Sequence, residues 1–242
     1  MTRRSKGVVL IVLLVGITLC VRTLAQGHQT VWLPVLSNSA AGLVFRILTI
    51  AMGLTAWFVS QSLIGSRVGG ADIGDAIHDW TAPLNQWLAH NPSMANALLI
   101  ATSSFIDLFG LFLLGSSLFG PSLRPGIGLL LLFVFRQVSQ LTCALPPPSG
   151  VIWRNPGLPS MLVTYHVGND FFFSGHTAIA ALGAIEMARV APPWLAAVAA
   201  VIACLEAATV LVLRAHYTMD VLTAVFAAFC AAGLAATICV GF

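Results

Sequence analysis

Charge is what this sequence has least of. Only 8% of its 242 residues are Asp, Glu, Lys or Arg, while 58% are apolar. A soluble domain devotes about a quarter of its residues to charge, so most of this surface is solvated by something other than water. Lysine is nearly missing, with Lys6 standing alone. Any anion site must therefore use arginine, histidine or backbone N–H groups, and arginine suits phosphate because its fork makes two parallel hydrogen bonds. No basic stripe interleaved with aromatics is present, which excludes nucleic acid as a partner. The five cysteines (Cys20, Cys143, Cys204, Cys230, Cys239) lie in apolar stretches with no Cys-x-x-Cys pair. They read as small core residues, not as a disulfide framework or a metal site. No metal is expected, because no Cys or His cluster is left over, and nothing resembles a nucleotide loop.

What the chain does have is a series of long apolar runs. Seven approach the roughly 20 residues a membrane span needs: Gly7–Leu24, Gly42–Ile64, Met94–Phe119, Ile127–Leu145, Phe171–Val190, Trp194–Leu213 and Tyr217–Val240. They are continuous, whereas barrel strands would alternate, so helices are expected. The fold class is thus all-α, a polytopic transmembrane helix bundle. Residues 42–242 would form a six-helix membrane-embedded catalytic core, and residues 1–41 an N-terminal hydrophobic segment with its linker. Arg3-Arg4-Ser5-Lys6 before that first run, and Thr23-Leu24-Ala25 after it, read either as a retained anchor or as a signal peptide. The Ala/Gly/Leu-rich composition points to a bacterial inner membrane. Among the linkers, Gly65–Ser93 carries Asp72, Asp75, His78, Asp79, Trp80 and Trp87; its tryptophans suggest a segment lying at the interface. Pro146–Asp170 is too rich in Pro and Gly to be a helix. Pro192-Pro193 breaks the chain sharply between two spans.

Two polar runs stand at the edges of these stretches: Phe173-Ser174-Gly175-His176-Thr177 and His216-Tyr217-Thr218-Met219-Asp220. Ionisable groups at membrane depth are expensive and mark functional sites by default. Forty residues separate the two histidines, enough for two crossings and a turn, so both should return to one membrane face. On a helix, His216 and Asp220 would stack on one face, the carboxylate fixing the imidazole tautomer and leaving the other nitrogen as an attacking lone pair. His176 would open its helix beside Ser174 and Gly175, where N–H groups face an anion and glycine permits close backbone approach. The plainer readings are an interfacial polar histidine and a His–Asp pair that merely satisfy each other. Arg136, Ser139, Gln140 and Cys143 form a polar stripe on one helical face. Arg136 could serve the site or pair with Asp107 or Glu206. Arg214 could serve it or snorkel to the interface. Asp170 could assist a proton transfer or cap the next helix. Glu186 and Arg189 are spaced to pair, and Tyr217 and Trp153 read as interface aromatics.

These motifs resemble the lipid phosphatase/phosphotransferase superfamily that includes type 2 phosphatidic acid phosphatases, and within it the sphingomyelin synthase branch. Asn169-Asp170-Phe171-Phe172-Phe173-Ser174-Gly175-His176-Thr177 is similar to that branch's Gly-Asp-x-x-Phe-Ser-Gly-His-Thr, and His216-Tyr217-Thr218-Met219-Asp220-Val221 to its His-Tyr-Thr-x-Asp-Val. Arg136, Thr142, Leu145 and Pro146 match its arginine-to-Leu-Pro segment. The general phosphatases have Pro-Ser-Gly-His where Phe173 stands here. Their lysine-to-Arg-Pro motif is absent too: Arg124-Pro125 has no preceding lysine and would lie at the opposite membrane end. Their third-motif arginine would fall at Val210, whereas Arg214 stands two before His216.

The resemblance implies an enzyme that moves a phosphorylated headgroup from a phospholipid to a lipid alcohol, ceramide-like or diacylglycerol-like. Its partners would be membrane lipids, and no cofactor is implied. His216 would attack phosphorus, Asp220 would orient it, and His176 would protonate the departing alkoxide. Arg136 and Arg214 would stabilise the phosphoryl charge, with Ser174, Gly175 and Asp170 beside it. A lipid-phosphate phosphatase, with water as acceptor, uses nearly the same residues. A non-catalytic transporter is disfavoured because the key residues lie at helix ends. The positive-inside rule and seven spans put the site on the cytoplasmic face; the resemblance implies the exoplasmic one.

Overall fold

The computed structural model describes residues 40–64, 73–157, 160–163, 165 and 171–239. The first apolar run, Asp72, Asn169 and Asp170 lie outside them. Seven helices form among the described residues: α1 (Ala40–Ile64), α2 (Ala76–His90), α3 (Pro92–Phe119), α4 (Arg124–Thr142), α5 (Gly175–Val190), α6 (Pro193–Val212) and α7 (Thr218–Ile238). Five of them, α1, α3, α4, α6 and α7, are long and apolar enough to cross a membrane. The chain is an all-α, multi-pass membrane bundle. In α2, Trp80 and Trp87 point outward, as an interfacial segment requires, and Asn91 alone separates α2 from α3.

The expected span Phe171–Val190 is shorter in the structure. Helix α5 starts at Gly175, because Ser174 is its N-cap, accepting from Thr177 N, and Phe173 has a positive φ of 78°. With 16 residues, α5 is about 24 Å long, less than the ~30 Å hydrocarbon core. It is enclosed by α3, α4, α6 and α7, so its ends need not reach lipid headgroups. Capping, assigned to Asp170 as one option, belongs to Ser174.

Small residues make this packing possible. Ala224, Ala228, Ala231, Ala232 and Ala235 lie on one face of α7 and are fully or almost fully buried, while Leu222, Phe226 and Phe229 are exposed. Lipid tails are as apolar as leucine, so membrane helices gain most by close backbone approach across small residues. Helix α7 is accordingly large outside and small inside. Cysteine follows the same division: Cys204 and Cys230 are exposed and only Cys239 is buried among the described cysteines, which corrects their reading as core residues.

At Gly183 in α5, an added Cβ would sit 2.3 Å from Cδ1 of Phe109 on α3. Gly183→Val should therefore cost about 1–3 kcal/mol through overpacking, read as a lower thermal midpoint of the full chain in detergent. An unchanged midpoint would refute the α3–α5 contact.

Candidate active site

The chain turns back at Ala191 and Pro192, and α6 returns toward the start of α5. Its end is an abrupt stop. Arg214 N–H donates to Leu211 O (3.0 Å) and Ala215 N–H to Val210 O (2.8 Å), the paired bonds of a left-handed helix C-terminus. Arg214 holds the left-handed position, with φ 54°, where glycine is usual. Its side chain accounts for the choice: Nη1 donates to Ser149 O (2.7 Å) and Nη2 to His78 O (3.2 Å). The fork thus clamps two backbone carbonyls, and of the sequence alternatives neither snorkelling nor a phosphate-facing pose describes it.

After this stop, His216 and Tyr217 are non-helical, and α7 begins at Thr218 with Tyr217 as its N-cap. His216 therefore does not share a helical turn with Asp220, as the i,i+4 spacing suggested. Its Nδ1 lies 3.7 Å from Asp220 Oδ2, beyond hydrogen-bond reach, and 2.8 Å from the carbonyl of Phe171. A carbonyl can only accept, so Nδ1 carries the proton and Nε2 is left with the lone pair. The tautomer inferred from sequence stands, but a backbone carbonyl fixes it, with the carboxylate close behind. Asp220, completely buried, accepts from Tyr217 N–H (2.9 Å) in the first turn of α7, where a negative charge is favoured. Tyr217 is buried and packs against the His78 ring, so it is no interface aromatic.

The two motif runs meet. Ser174 N–H donates to Asp220 O (3.3 Å), and His216 reaches Phe171. His176 and His216 are near enough to interact electrostatically, as are His176 and Arg136. The His176 ring meets Trp153 edge-on, with centroids 5.0 Å apart, and its buried Nε2 has no hydrogen-bond partner among the described residues. Arg136 lies over the start of α5: a Cβ on Gly175 would be 3.4 Å from its Nε. Its Nη1 donates to Gln61 of α1. Asp107, offered as a partner for Arg136, binds Ser160 Oγ and the N–H groups of Met161 and Leu162 (3.0 Å each); Glu206 accepts from Thr102. At the far end of α5, Arg124 donates to both oxygens of Glu186 (3.0 and 3.4 Å), with Arg189 3.8 Å away. Arg124 is thus remote from the histidines, as its position in the sequence implied. No group of three or more metal-ligating side chains occurs among the described residues.

Phe173 also acquires a reason. Proline is locked near φ −65° and cannot adopt the 78° found here, so this loop excludes the Pro-Ser-Gly-His form.

The chain matches the AtPDCT1/2 family over residues 72–237. The chain belongs to this family. It is also 26% identical over 189 residues to the phosphatidylcholine:diacylglycerol cholinephosphotransferase 1 of Arabidopsis thaliana, an alignment covering 78% of this chain and 57% of the relative. The chain thus spans little more than half the length of that relative. No solved structure matches it. The family match starts at residue 72 and so takes in α2, whose contribution sequence reasoning missed. Asp75 Oδ2 accepts from Thr218 N (2.6 Å), its Oδ1 accepts from Thr218 Oγ1 (2.8 Å), and His78 Nε2 donates to His216 O (3.0 Å). The only signal was the acidic and histidine content of a linker. Burial pushes the Asp75 carboxyl up, but the Thr218 hydrogen bonds and the nearby His78 outweigh it and hold the group below its ordinary value. Its contribution is therefore complete above the usual carboxylate range and is lost only as pH falls through that lowered value.

The left-handed backbone at Arg214 gives a sharp comparison. Arg214→Ala loses the clamp and keeps the strain; Arg214→Gly loses the clamp but relieves it. Chemical denaturation in detergent should find the glycine variant more stable than the alanine variant by about 1 kcal/mol. The reverse order would show that this turn is not left-handed.

Proposed function

We propose that this protein transfers a phosphorylated headgroup from a phospholipid to a lipid alcohol through a phosphohistidine at His216. The observation that carries the reading is the joining of the two histidine runs by Ser174 N–H to Asp220 O and His216 Nδ1 to Phe171 O. Family membership supports a lipid phosphotransferase. The activity that names the Arabidopsis relative favours phosphatidylcholine as donor and diacylglycerol, rather than ceramide, as acceptor. The sphingomyelin synthase-like reading rests on the motifs, and the bacterial inner membrane on composition, since the relative is a plant protein.

In the first half-reaction, His216 Nε2 attacks phosphorus and forms a P–N bond, while the P–O bond to the donor's glycerol oxygen breaks. The departing alkoxide takes a proton from His176 Nε2. In the second, His176 removes the proton of the acceptor hydroxyl, whose oxygen attacks phosphorus as the P–N bond breaks. Proton and phosphoryl group both balance over the cycle, and splitting the transfer lowers each barrier. Asp220, 3.7 Å from His216 Nδ1, favours the positive charge that develops on the attacking ring. Arg136, beside Gly175, supplies the cation for the transferring oxygens; Ser174 shapes the loop as the α5 cap. Arg214 holds the turn, and Asp170 stays a candidate for proton transfer.

His216→Ala and His176→Ala should each lower headgroup transfer by about 10²–10⁴-fold, measured with headgroup-labelled phosphatidylcholine and diacylglycerol in mixed micelles. Full activity in His216→Ala would exclude the nucleophile. In the same assay, omitting the lipid alcohol separates the phosphatase alternative. Free labelled phosphocholine, with no label in any new phospholipid whether or not diacylglycerol is present, would replace the transferase reading by hydrolysis.

Trapping gives a separate check. Protein exposed to donor alone and denatured at alkaline pH should carry an acid-labile, alkali-stable label that His216→Ala lacks. Label retained in that variant would move the intermediate elsewhere.

A further inference from the structure

Helix α2 is bound to the turn that carries His216 at four successive alternate positions. Asn85 Nδ2 donates to Val212 O (2.9 Å), and also to Gly150 O (3.2 Å). Arg214 Nη2 donates to His78 O (3.2 Å). His78 Nε2 donates to the carbonyl of His216 itself (3.0 Å). Asp75 accepts from Thr218 N and Oγ1. The Asp75 carboxylate also accepts from Ile77 N (2.9 Å) as the N-cap of α2. Since Thr218 N is one of the orphan donors opening α7, a single carboxylate caps two helices and sets the angle between them.

The two sides of α2 differ in kind. Asn85 and His78 are buried against the turn, while Trp80, Leu84 and Trp87, spaced four and three apart, are exposed. An apolar, tryptophan-bearing face opposite a polar one seats a helix at headgroup level. The helix that carries this exposed tryptophan face is thus the one that grips the main chain of His216. On the other side of the turn, the His216 ring is held by Phe171 O. Ring and peptide are fixed independently, and only the peptide is fixed by the interfacial helix.

We propose that Asp75 and His78 are positioning residues, through which the interfacial helix α2 sets the depth and orientation of His216 toward the phosphorus of a bound lipid. This rests on His216 being the nucleophile proposed above. Neither residue touches the reacting atoms. His78 acts through the His216 carbonyl and Asp75 through the first N–H of α7, so loss of either should slow the chemical step more than it weakens lipid binding.

The test uses the full chain in mixed micelles, with kcat and donor KM determined separately and the thermal midpoint recorded for each variant. His78→Phe removes the donor, while His78→Gln can place an N–H near the Nε2 position. Asp75→Asn replaces one acceptor by a donor. Thr218→Val removes the hydroxyl, and Thr218→Ser keeps it. His78→Phe and Asp75→Asn should lower kcat by about tenfold or more, as small misplacements of a reacting group do, with KM within about twofold and the midpoint unchanged within a few degrees. His78→Gln should recover to within about threefold of the parent. The Thr218 pair should divide likewise, and it serves as the independent probe if the Asp75 variant folds poorly. The proposal is overturned by an unchanged kcat in His78→Phe and Thr218→Val, by His78→Gln falling as far as His78→Phe, or by losses that track the midpoint. His216→Ala, run alongside, separates the two readings. If it keeps full turnover, the nucleophile assignment fails and the positioning role with it. If it is inactive while the α2 variants are normal, only the positioning role fails.

Discussion

Two hydrogen bonds hold the start of α5 to the start of α7: Ser174 N–H to Asp220 O, and His216 Nδ1–H to Phe171 O. Both use main-chain groups on at least one side, and both lie where water is scarce. There an unmade hydrogen bond costs the full desolvation of its polar group, so the two loops are much more stable together than apart. The rest of the arrangement follows from that junction. Ser174 must leave its N–H outside the helix it caps, Phe173 must take a positive φ to turn the chain there, and α5 must start late and be short. A proline at 173 or a helix begun at Phe171 would break the same two bonds.

The sequence made the gross plan legible for a simple reason. Long apolar runs have one solution in lipid, and counting crossings puts His176 and His216 on one face whatever the exact helix ends. The contact face of α7 was not read from its sequence, although its buried alanines recur at helical spacing. Local geometry around His216 was not legible either. The spacing to Asp220 fits one helical turn, but a helix ends at Val212 and another begins at Thr218, so His216 lies in the break between them. The signal for that break was weak: glycine usually marks a left-handed helix stop, and here arginine occupies it. Asp75 and His78 were invisible for a different reason. Their partners are 138 to 143 residues away, and two of the three are backbone atoms, which leave no trace in residue type.

Arg214 shows how a charge offered by the sequence as a ligand can be engaged by the main chain. Two residues before a candidate nucleophile, a cation suggests phosphate binding. In the structure its fork lies on the carbonyls of Ser149 and His78, one in a loop and one in a helix. A lysine there would offer one point of attachment; the planar fork offers two in different directions. Arg136 contrasts with it. It lies deep in α4 against Gly175, within electrostatic reach of His176, and it is the cation whose position suits an anion between the two imidazoles.

The distribution of polar groups along α5 bears on the transport alternative. His176 and Thr177 lie at one end, and Glu186, held by Arg124, near the other. Between them the buried positions are Ala178, Ile179, Ala180, Leu182 and Gly183, about 15 Å of apolar helix packed on Phe109 and the alanines of α7. Glu206, a further buried carboxyl, is two turns from the end of α6 nearest His216 and is engaged by Thr102. A carrier needs groups at midplane that exchange partners as access alternates. Here the midplane of the central helix offers none, and the two histidines and Asp220 meet at one end, fixed by caps and clamps. Such a layout suits a reaction at a single lipid–water boundary, where donor and acceptor arrive laterally from the same leaflet and no substrate has to cross the bundle.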